Sequence, residues 1–95
     1  MTRYLSLLSF AKQGLDDVAG SPNRANEFRT NVEAAGGKVL EQYWSLGQYD
    51  GVVIFEAPDE ETATSLLLKL DQKGNVRTQT MRIYNAEEFQ GILQK

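Results

Sequence analysis

Residues 43–55 read YWSLGQYDGVVIF, and this stretch decides the fold. Aromatic and β-branched residues on both sides of a central Gly-Gln step favour two strands that fold back on each other. A two-residue connection with glycine first is typical of a type II′ turn. This register predicts that Trp44 lies opposite Gly51, with its indole covering the glycine backbone. It also predicts that Leu46 lies opposite Tyr49.

The segments on either side alternate between strand and helix patterns. Predicted strands lie near residues 3–11, 38–46, 49–57 and 75–84, and predicted helices lie within residues 13–36, 59–72 and 86–94. The order β-α-β-β-α-β is that of a ferredoxin-like fold, with two helices on one face of a four-stranded antiparallel sheet. We therefore expect an α+β fold that forms a single domain over residues 1–95 and ends in a short C-terminal helix.

Capping residues mark where the helices begin. Ser21 is a suitable N-cap and is followed by Pro22, which favours the first position of a helix. Asp59 is a good N-cap for the next helix. Asn85 and Glu88 have the spacing of a capping box at the start of the last one.

Composition limits the kinds of partner. The chain has 95 residues, a net charge of −3 and no cysteine. An acidic balance with both signs interspersed lacks the basic excess of nucleic-acid-binding proteins, so we expect no nucleic-acid partner. No apolar run approaches the roughly 20 residues that span a bilayer, so we expect no membrane partner. The cysteine-free composition favours a cytoplasmic location.

Histidine is absent from the sequence. This removes the commonest general base and the commonest ligand of transition metals and haem. We therefore expect no metal site and no cofactor. Carboxylates, tyrosines, hydroxyls, lysines and arginines remain, and these can bind an anion or orient a substrate.

The predicted hairpin register divides the two central strands into two faces. The face that is better suited to packing under helices carries Leu40, Gln42, Trp44, Leu46, Gly51, Val53 and Phe55. The other face carries Val39, Glu41, Tyr43, Ser45, Asp50, Val52, Ile54 and Glu56.

The second face is too apolar to be left in water. Tyr43, Val52 and Ile54 mix there with carboxylate and hydroxyl groups. We therefore predict a two-fold homodimer or a higher homo-oligomer, in which this face meets its counterpart or a partner's hairpin. A small-molecule pocket would then lie at the covered face, with Tyr43, Asp50, Tyr49 and Arg82 near its polar lining.

Three separated motifs resemble the bacterial GYD domain family. They are residues 43–51 with the Gly-x-Tyr-Asp cluster of Gly47, Tyr49 and Asp50, the segment APDEETA at residues 57–63, and GNVRT at residues 74–78. The resemblance covers essentially the whole chain. It implies a ferredoxin-like subunit of the dimeric α+β barrel type but little chemistry, because that wider group includes monooxygenases, haem-handling proteins and ligand-sensing domains.

Four further side chains could bind a ligand together with Tyr43. Asp50 beside Tyr49 could be a general base next to a phenol that orients a substrate, or it could accept hydrogen bonds from the turn backbone. Trp44 could stack on a flat ligand, or it could cover Gly51. Arg82 could hold an anion, or it could guard an edge strand against pairing.

Three classes of function follow from these alternatives. An oligomeric protein that binds or senses a small molecule is the first interpretation. A cofactor-independent, monooxygenase-like enzyme is the second, and a structural or interaction module without a ligand is the third. Whether the chain is an enzyme stays open at this point.

Overall fold

The computed structural model describes all residues from Met1 to Lys95. Its strands are β1 (Thr2–Phe10), β2 (Lys38–Trp44), β3 (Gly51–Ala57) and β4 (Val76–Arg82). Its helices are α1 (Lys12–Asp16), α2 (Ser21–Ala34), α3 (Glu60–Gln72) and α4 (Ala86–Leu93), with a 3₁₀ turn at Val18–Gly20 between α1 and α2.

The four strands form one antiparallel sheet in the order β2-β3-β1-β4. The helices α2 and α3 contribute to a core that lies on one side of this sheet. The ferredoxin-like α+β fold predicted from the sequence is therefore confirmed. β1 and β3 occupy the centre, and β2 and β4 are the edges.

The core is centred on Phe55 of β3, which is completely buried. The ring of Tyr4 stacks on Phe55 at a centroid distance of 5.5 Å, and Phe28 of α2 meets it edge-on, also at 5.5 Å. Val32 and Leu66 close the helix side of this cluster. These residues lie toward the end of the sheet where β1 begins, so the best-packed part of the domain is at that end.

The predicted caps of the last two helices are confirmed. The Asp59 side chain accepts a hydrogen bond of 2.8 Å from the backbone N–H of Thr62. Asn85 and Glu88 form a complete capping box at α4. Ser21 is not an N-cap, because the 3₁₀ turn leads directly into α2 and Gly20 takes the cap position.

The β2–β3 connection differs in part from the predicted tight turn. Trp44 pairs with Gly51 as predicted, but the regular ladder ends there and residues 45–50 form a loop. Leu46 is fully exposed, so its predicted strand pairing with Tyr49 is wrong. The loop is drawn toward β1 instead, because the N–H of Asp50 donates to the carbonyl oxygen of Leu8 at 2.8 Å.

A β-bulge in β2 changes the predicted faces. Val39 pairs with Phe55 and Glu41 pairs with Ile54, so Leu40 is an extra residue in the strand. The bulge turns Val39 into the core, where it is 5% exposed, and leaves Leu40 39% exposed. The prediction that Leu40 packs under the helices and Val39 faces the other way is therefore wrong.

Candidate functional site

The face of the sheet opposite the core has no helix packed on it. We call it the open face; its apolar members are Leu5, Leu7, Tyr43, Val52, Ile54 and Met81, and its charged members include Arg3, Glu41 and Glu56. Tyr43 and Met81 are exposed and the four aliphatic residues between them are half-buried. A contiguous apolar surface of this kind is a typical interaction site.

Helix α4 adds a second apolar surface beside the open face. Phe89, Ile92 and Leu93 are all exposed, and the helix contains no buried residue. The capping box of α4 fixes the residue at which the helix begins, and with it which residues lie on the apolar stripe.

Arg3, which lies on the open face, forms the ion pair that joins α4 to the sheet. Arg3 contacts Glu88 at 2.6 Å and Glu56 at 3.3 Å. The backbone N–H of Asn85 and then the guanidinium of Arg3 hold the pKa of Glu88 below its ordinary value. The hydrogen bond to Glu88 raises the pKa of Arg3 in turn.

Tyr49 and Asp50 of the motif both form hydrogen bonds that hold the 45–50 loop in place. The Asp50 carboxylate accepts a hydrogen bond of 2.8 Å from the backbone N–H of Phe10. The side chain of Tyr49 reaches past β1, and its hydroxyl donates a hydrogen bond of 2.7 Å to the side chain of Gln79 in β4. Two side chains that were candidates for ligand binding thus hold the 45–50 loop across the end of the sheet.

Tyr43 lies on the open face beside Glu41. Its hydroxyl donates a hydrogen bond to the Glu41 carboxylate, and this bond raises the pKa of Tyr43. A phenol with a raised pKa stays protonated at neutral pH, so it can donate a hydrogen bond but is a poor proton acceptor.

Trp44 lies on the side of the helices but is not part of the core. It is 51% exposed, and its Nε1 donates a hydrogen bond of 3.1 Å to the hydroxyl of Ser21 at the start of α2. No indole atom comes within 4 Å of the position that a Cβ on Gly51 would take. The predictions that Trp44 is well buried and covers Gly51 are therefore wrong; the indole bridges β2 to α2 instead.

Arg82 lies at the opposite end of the sheet from the loop. It pairs with Tyr4, four residues and about 13 Å along β1 from Leu8, where the loop is attached. Its guanidinium lies 4.4 Å from the ring centroid of Tyr84 and donates to the carbonyl oxygen of Ile83 at 2.7 Å. The structure therefore does not bring Arg82 together with Tyr43, Tyr49 and Asp50.

A cavity of about 70 Å³ lies on the helix side at the loop end of the sheet; we call it the end cavity. Its apolar lining includes Leu8, Phe10, Phe28, Val53, Leu70 and Val76. Its polar lining consists of Ser21, Arg24, Gln42, Tyr43, Asp50, Lys73 and Asn75, and Trp44 lines it as well.

The sequence analysis placed the pocket at the open face and not here, although three of the five predicted ligand-binding residues, Tyr43, Trp44 and Asp50, contribute to the lining of the end cavity. One further signal for this cavity exists in the sequence. Arg24 precedes Phe28 and Val32 at spacings of four, so a cation lies on the stripe of α2 that faces the sheet. A charged residue on a buried stripe is uncommon and indicates that the stripe leaves the core at that point.

No group of three or more histidine, cysteine, aspartate or glutamate side chains is arranged to hold a metal ion. None of the helices combines the length and the apolar character that crossing a bilayer requires.

Comparisons with known proteins agree with the fold. A model of the GYD domain matches residues 4–93. A protein of Thermus thermophilus named "Glutamine synthetase and cystathionine beta-lyase binding protein" is 32% identical over 82 residues, which are 85% of this chain and 86% of that protein.

Two solved structures show the same fold at low sequence identity. A feast or famine regulatory protein from M. tuberculosis, in complex with L-methionine, aligns with a TM-score of 0.68 at 16% identity over 90% of this chain. The match spans 52%, about half, of that protein. Ribosomal protein S6 from Thermotoga maritima aligns with a TM-score of 0.64 at 17% identity, over 99% of this chain and 98% of that one. With the motif residues, the matched family model and the related sequence in agreement, this chain belongs to the GYD domain family.

Proposed function

We propose that this chain forms a homodimer through the open face and that the dimer binds other proteins. The observation that carries the proposal is the apolar, uncovered sheet surface around Val52 and Ile54. An antiparallel sheet with helices on one side is stable in water when its other side is polar or covered, and here it is apolar.

Two-fold pairing suits this surface because each copy offers the same patch. In such an interface a residue on one copy meets its counterpart or a nearby residue on the other. The aliphatic residues of β1 and β3 would form the centre, and Arg3, Glu41 and Glu56 would lie at a polar rim. The exposed stripe of α4 lies beside this surface and would extend it.

The choice of proteins as partners is supported by the Thermus thermophilus relative, whose name describes binding to glutamine synthetase and cystathionine beta-lyase. Alignment over 85% of this chain and 86% of the relative supports the transfer of a binding role. The proposal assigns no catalytic step to the chain. The alternative of a monooxygenase-like enzyme has less support, because Trp44 and Arg82 lie away from the Tyr43 and Tyr49 hydroxyls on the open face.

A second candidate function is the binding or sensing of a small molecule, which was the first interpretation of the sequence. The end cavity supports it, because an apolar hollow with a few polar groups is typical of ligand sites. We propose the cytoplasm as the location for either function.

The dimer is tested by light scattering of the purified protein at micromolar concentration. We expect the wild type to have twice the 10.6 kDa mass of one chain. Val52→Lys places a charge in the centre of the interface and should give monomers. Ser65→Lys, on the exposed surface of α3, is the matched control and should leave the dimer intact. A monomeric wild type would overturn the proposed assembly.

Protein binding is tested with the two purified Thermus thermophilus enzymes that the relative's name specifies. We expect the wild type and Ser65→Lys to bind at least one of them in biolayer interferometry. Val52→Lys should bind more weakly if the dimer is the binding unit. A wild-type dimer that binds neither enzyme would contradict the protein-binding half of the proposal for these partners and leave the dimer standing.

A further inference from the structure

We propose that the end cavity binds a small aliphatic carboxylate, with the carboxylate group between Arg24 and Lys73 and the hydrocarbon part against Leu8, Phe28 and Val76. The inference rests on the second candidate function, the binding of a small molecule, and supplies the chemical class of the ligand. It does not require the dimer, although Tyr43 and Val52 of the open face also contribute to the lining of the end cavity.

The apolar part of the cavity exists because the core is incomplete at this end of the sheet. Leu8 and Phe10 of β1 and Leu70 of α3 line the covered side, yet each is only half-buried. At the other end Tyr4 and Phe55 are buried under the two helices. Half-buried aliphatic and aromatic side chains around a hollow gain free energy when an apolar group displaces the water between them.

The volume limits the size of the ligand. A single water needs about 10–15 Å³ when cavity volume is measured in this way, so a 70 Å³ cavity has room for about five to seven waters. A ligand of about six to eight non-hydrogen atoms therefore fits, counting a carboxylate that reaches the rim. Larger rings or chains would have to push α2 away from the sheet.

The charges at the rim favour an anion. Arg24 comes from the first turns of α2 and Lys73 follows the end of α3, and Asp50 is the one carboxylate in the lining. Asp50 already accepts a hydrogen bond from the backbone N–H of Phe10. The net charge of the lining is therefore positive, and one oxygen of its single carboxylate is already hydrogen-bonded.

The present partners of the two cations lie outside the cavity. Arg24 pairs with the Asp17 carboxylate and also donates to the carbonyl oxygen of Asp17 at 3.0 Å, and Lys73 pairs with Glu27. The side chains of the two acids are 71% and 57% exposed, against 20% for Arg24 and 39% for Lys73. Ion pairs to exposed acids contribute little to stability, so the carboxylates of Asp17 and Glu27 can be exchanged for that of a ligand. A carboxylate on the less solvated side of the same cations would form a stronger, charge-assisted hydrogen bond.

Trp44 is placed to report on the cavity. It is the one tryptophan of the chain, it lines the cavity, and its hydrogen bond to Ser21 spans from β2 to α2. A ligand that enters beside it changes the polarity around the indole. Intrinsic fluorescence therefore measures occupancy without a label.

The experiment titrates the full chain with hexanoate, hexan-1-ol and hexylamine, following Trp44 fluorescence and the heat of binding. We expect saturation by hexanoate below about 10 mM, since a ligand of this size reaches a dissociation constant on the order of 1 mM. The alcohol and the amine should bind at least about tenfold more weakly, because they lack the charge that Arg24 and Lys73 attract.

Two variants and two matched controls locate the site. Arg24→Gln and Lys73→Gln should each weaken hexanoate binding by about tenfold. Arg29→Gln on α2 and Lys69→Gln on α3 remove the same charges from the same helices outside the cavity and should leave binding unchanged. Circular dichroism identifies any variant that has lost its fold. If one of the two cavity variants is unfolded, hexanoate binding by the other one tests the site.

Three results would overturn the inference: no saturable response to hexanoate, equal binding of hexanoate and hexan-1-ol, or unchanged binding by both Arg24→Gln and Lys73→Gln. The mass of each sample is measured by light scattering in parallel. Failure to bind hexanoate by an intact dimer rejects the carboxylate site alone, whereas a monomeric protein that binds hexanoate rejects the proposed dimer alone.

Discussion

The carboxylate of Asp50 and the backbone N–H of Phe10 form a hydrogen bond of 2.8 Å between groups that are 40 residues apart in the sequence. The N–H of Asp50 donates in turn to the carbonyl oxygen of Leu8 at 2.8 Å. These two bonds continue the β1–β3 pairing by one step beyond Gly51 and fix the loop against the end of β1. The aspartate of the family motif therefore joins two strands.

We expect Asp50→Ala to destabilise the domain by about 1–3 kcal/mol. The reason is that the N–H of Phe10 loses a charged acceptor in a partly buried place. Asp50→Asn keeps an oxygen acceptor and should lose less. Urea denaturation followed by circular dichroism gives the free energy of unfolding of each variant.

The control is Asp16→Ala, which removes an exposed carboxylate paired with Lys12 one turn away. We expect a change of no more than about 0.5 kcal/mol, as is usual for exposed helix pairs. Equal effects of Asp50→Ala and Asp16→Ala would show that the bond to Phe10 does not stabilise the fold.

Trp44→Ala should cost about 1 kcal/mol, whereas Phe55→Ala should cost about 3–5 kcal/mol. The difference follows from exposure, because Phe55 is completely buried and half of Trp44 is in water. A well-buried indole over Gly51, as the sequence alone predicts, would cost about 3 kcal/mol. Unfolding in urea distinguishes the two values, and a loss of 3 kcal/mol from Trp44→Ala would mean that the side chain is buried in solution, for example by a partner.

Two glycine-to-alanine changes should have opposite effects. A Cβ on Gly14 would collide with the carbonyl oxygen of Asn75, and backbone cannot move aside as a flexible side chain can, so we expect a loss of about 2–3 kcal/mol. Gly91 lies within α4 with no atom near the Cβ position, so alanine there should gain about 0.5–1 kcal/mol through its higher helix propensity.

Thermal melts of the two glycine variants, recorded against the wild type, check both signs. A stable Gly14→Ala protein would mean that α1 does not approach Asn75 as closely as the structure shows. A destabilised Gly91→Ala protein would indicate that a partner chain packs closely on that side of α4.

We expect acid to weaken the attachment of α4 to the sheet through Glu88 and Arg3. The N–H of Asn85 and the guanidinium of Arg3 keep the pKa of Glu88 below its ordinary 4.5, and the charge of Arg82 acts in the same direction. A carboxylate with a lowered pKa in the folded chain stabilises the fold above pH 4.5, and this contribution is lost as the pH falls through the lowered pKa. Amide hydrogen exchange in α4, corrected for the intrinsic pH dependence of exchange, should therefore become faster relative to β1 as the pH falls below 4.5 and through the lowered pKa of Glu88.

The comparison variant for the acid prediction is Glu88→Gln, which keeps a side-chain oxygen for the capping box and removes the titrating charge. Its α4 should exchange faster than that of the wild type at neutral pH and show less acid dependence. The same acid response in the wild type and in Glu88→Gln would assign it to other groups.

Features that depend on neighbours within a few residues could be predicted from the sequence. The Asp59 cap and the capping box of Asn85 and Glu88 each join groups three residues apart, so the local pattern contains both partners. The order of the strands and helices follows for the same reason, because periodicity is a property of each segment. These features fix the fold.

Features that depend on how the layers meet could not be predicted in the same way. The bulge at Leu40 reverses the facing of Val39, and no residue in the strand marks it. Trp44 has the pattern of a core residue, but the helix layer is incomplete at its end of the sheet. Arg24 and Lys73 come together only through the packing of α2 and α3, which is why the predicted site contained Tyr43, Trp44 and Asp50 of the end cavity but neither of these cations.

The central position of β1 has a consequence for how the chain folds during its synthesis. β1 is made first, but its two neighbours in the sheet, β3 and β4, end at Ala57 and Arg82. At roughly 5–20 residues per second, a ribosome needs on the order of ten seconds to make the remaining strands. Until β3 is made Leu5 and Leu7 belong to a strand with no neighbour, and until β4 is made one edge of that strand stays unpaired and accessible to chaperones that bind extended apolar segments.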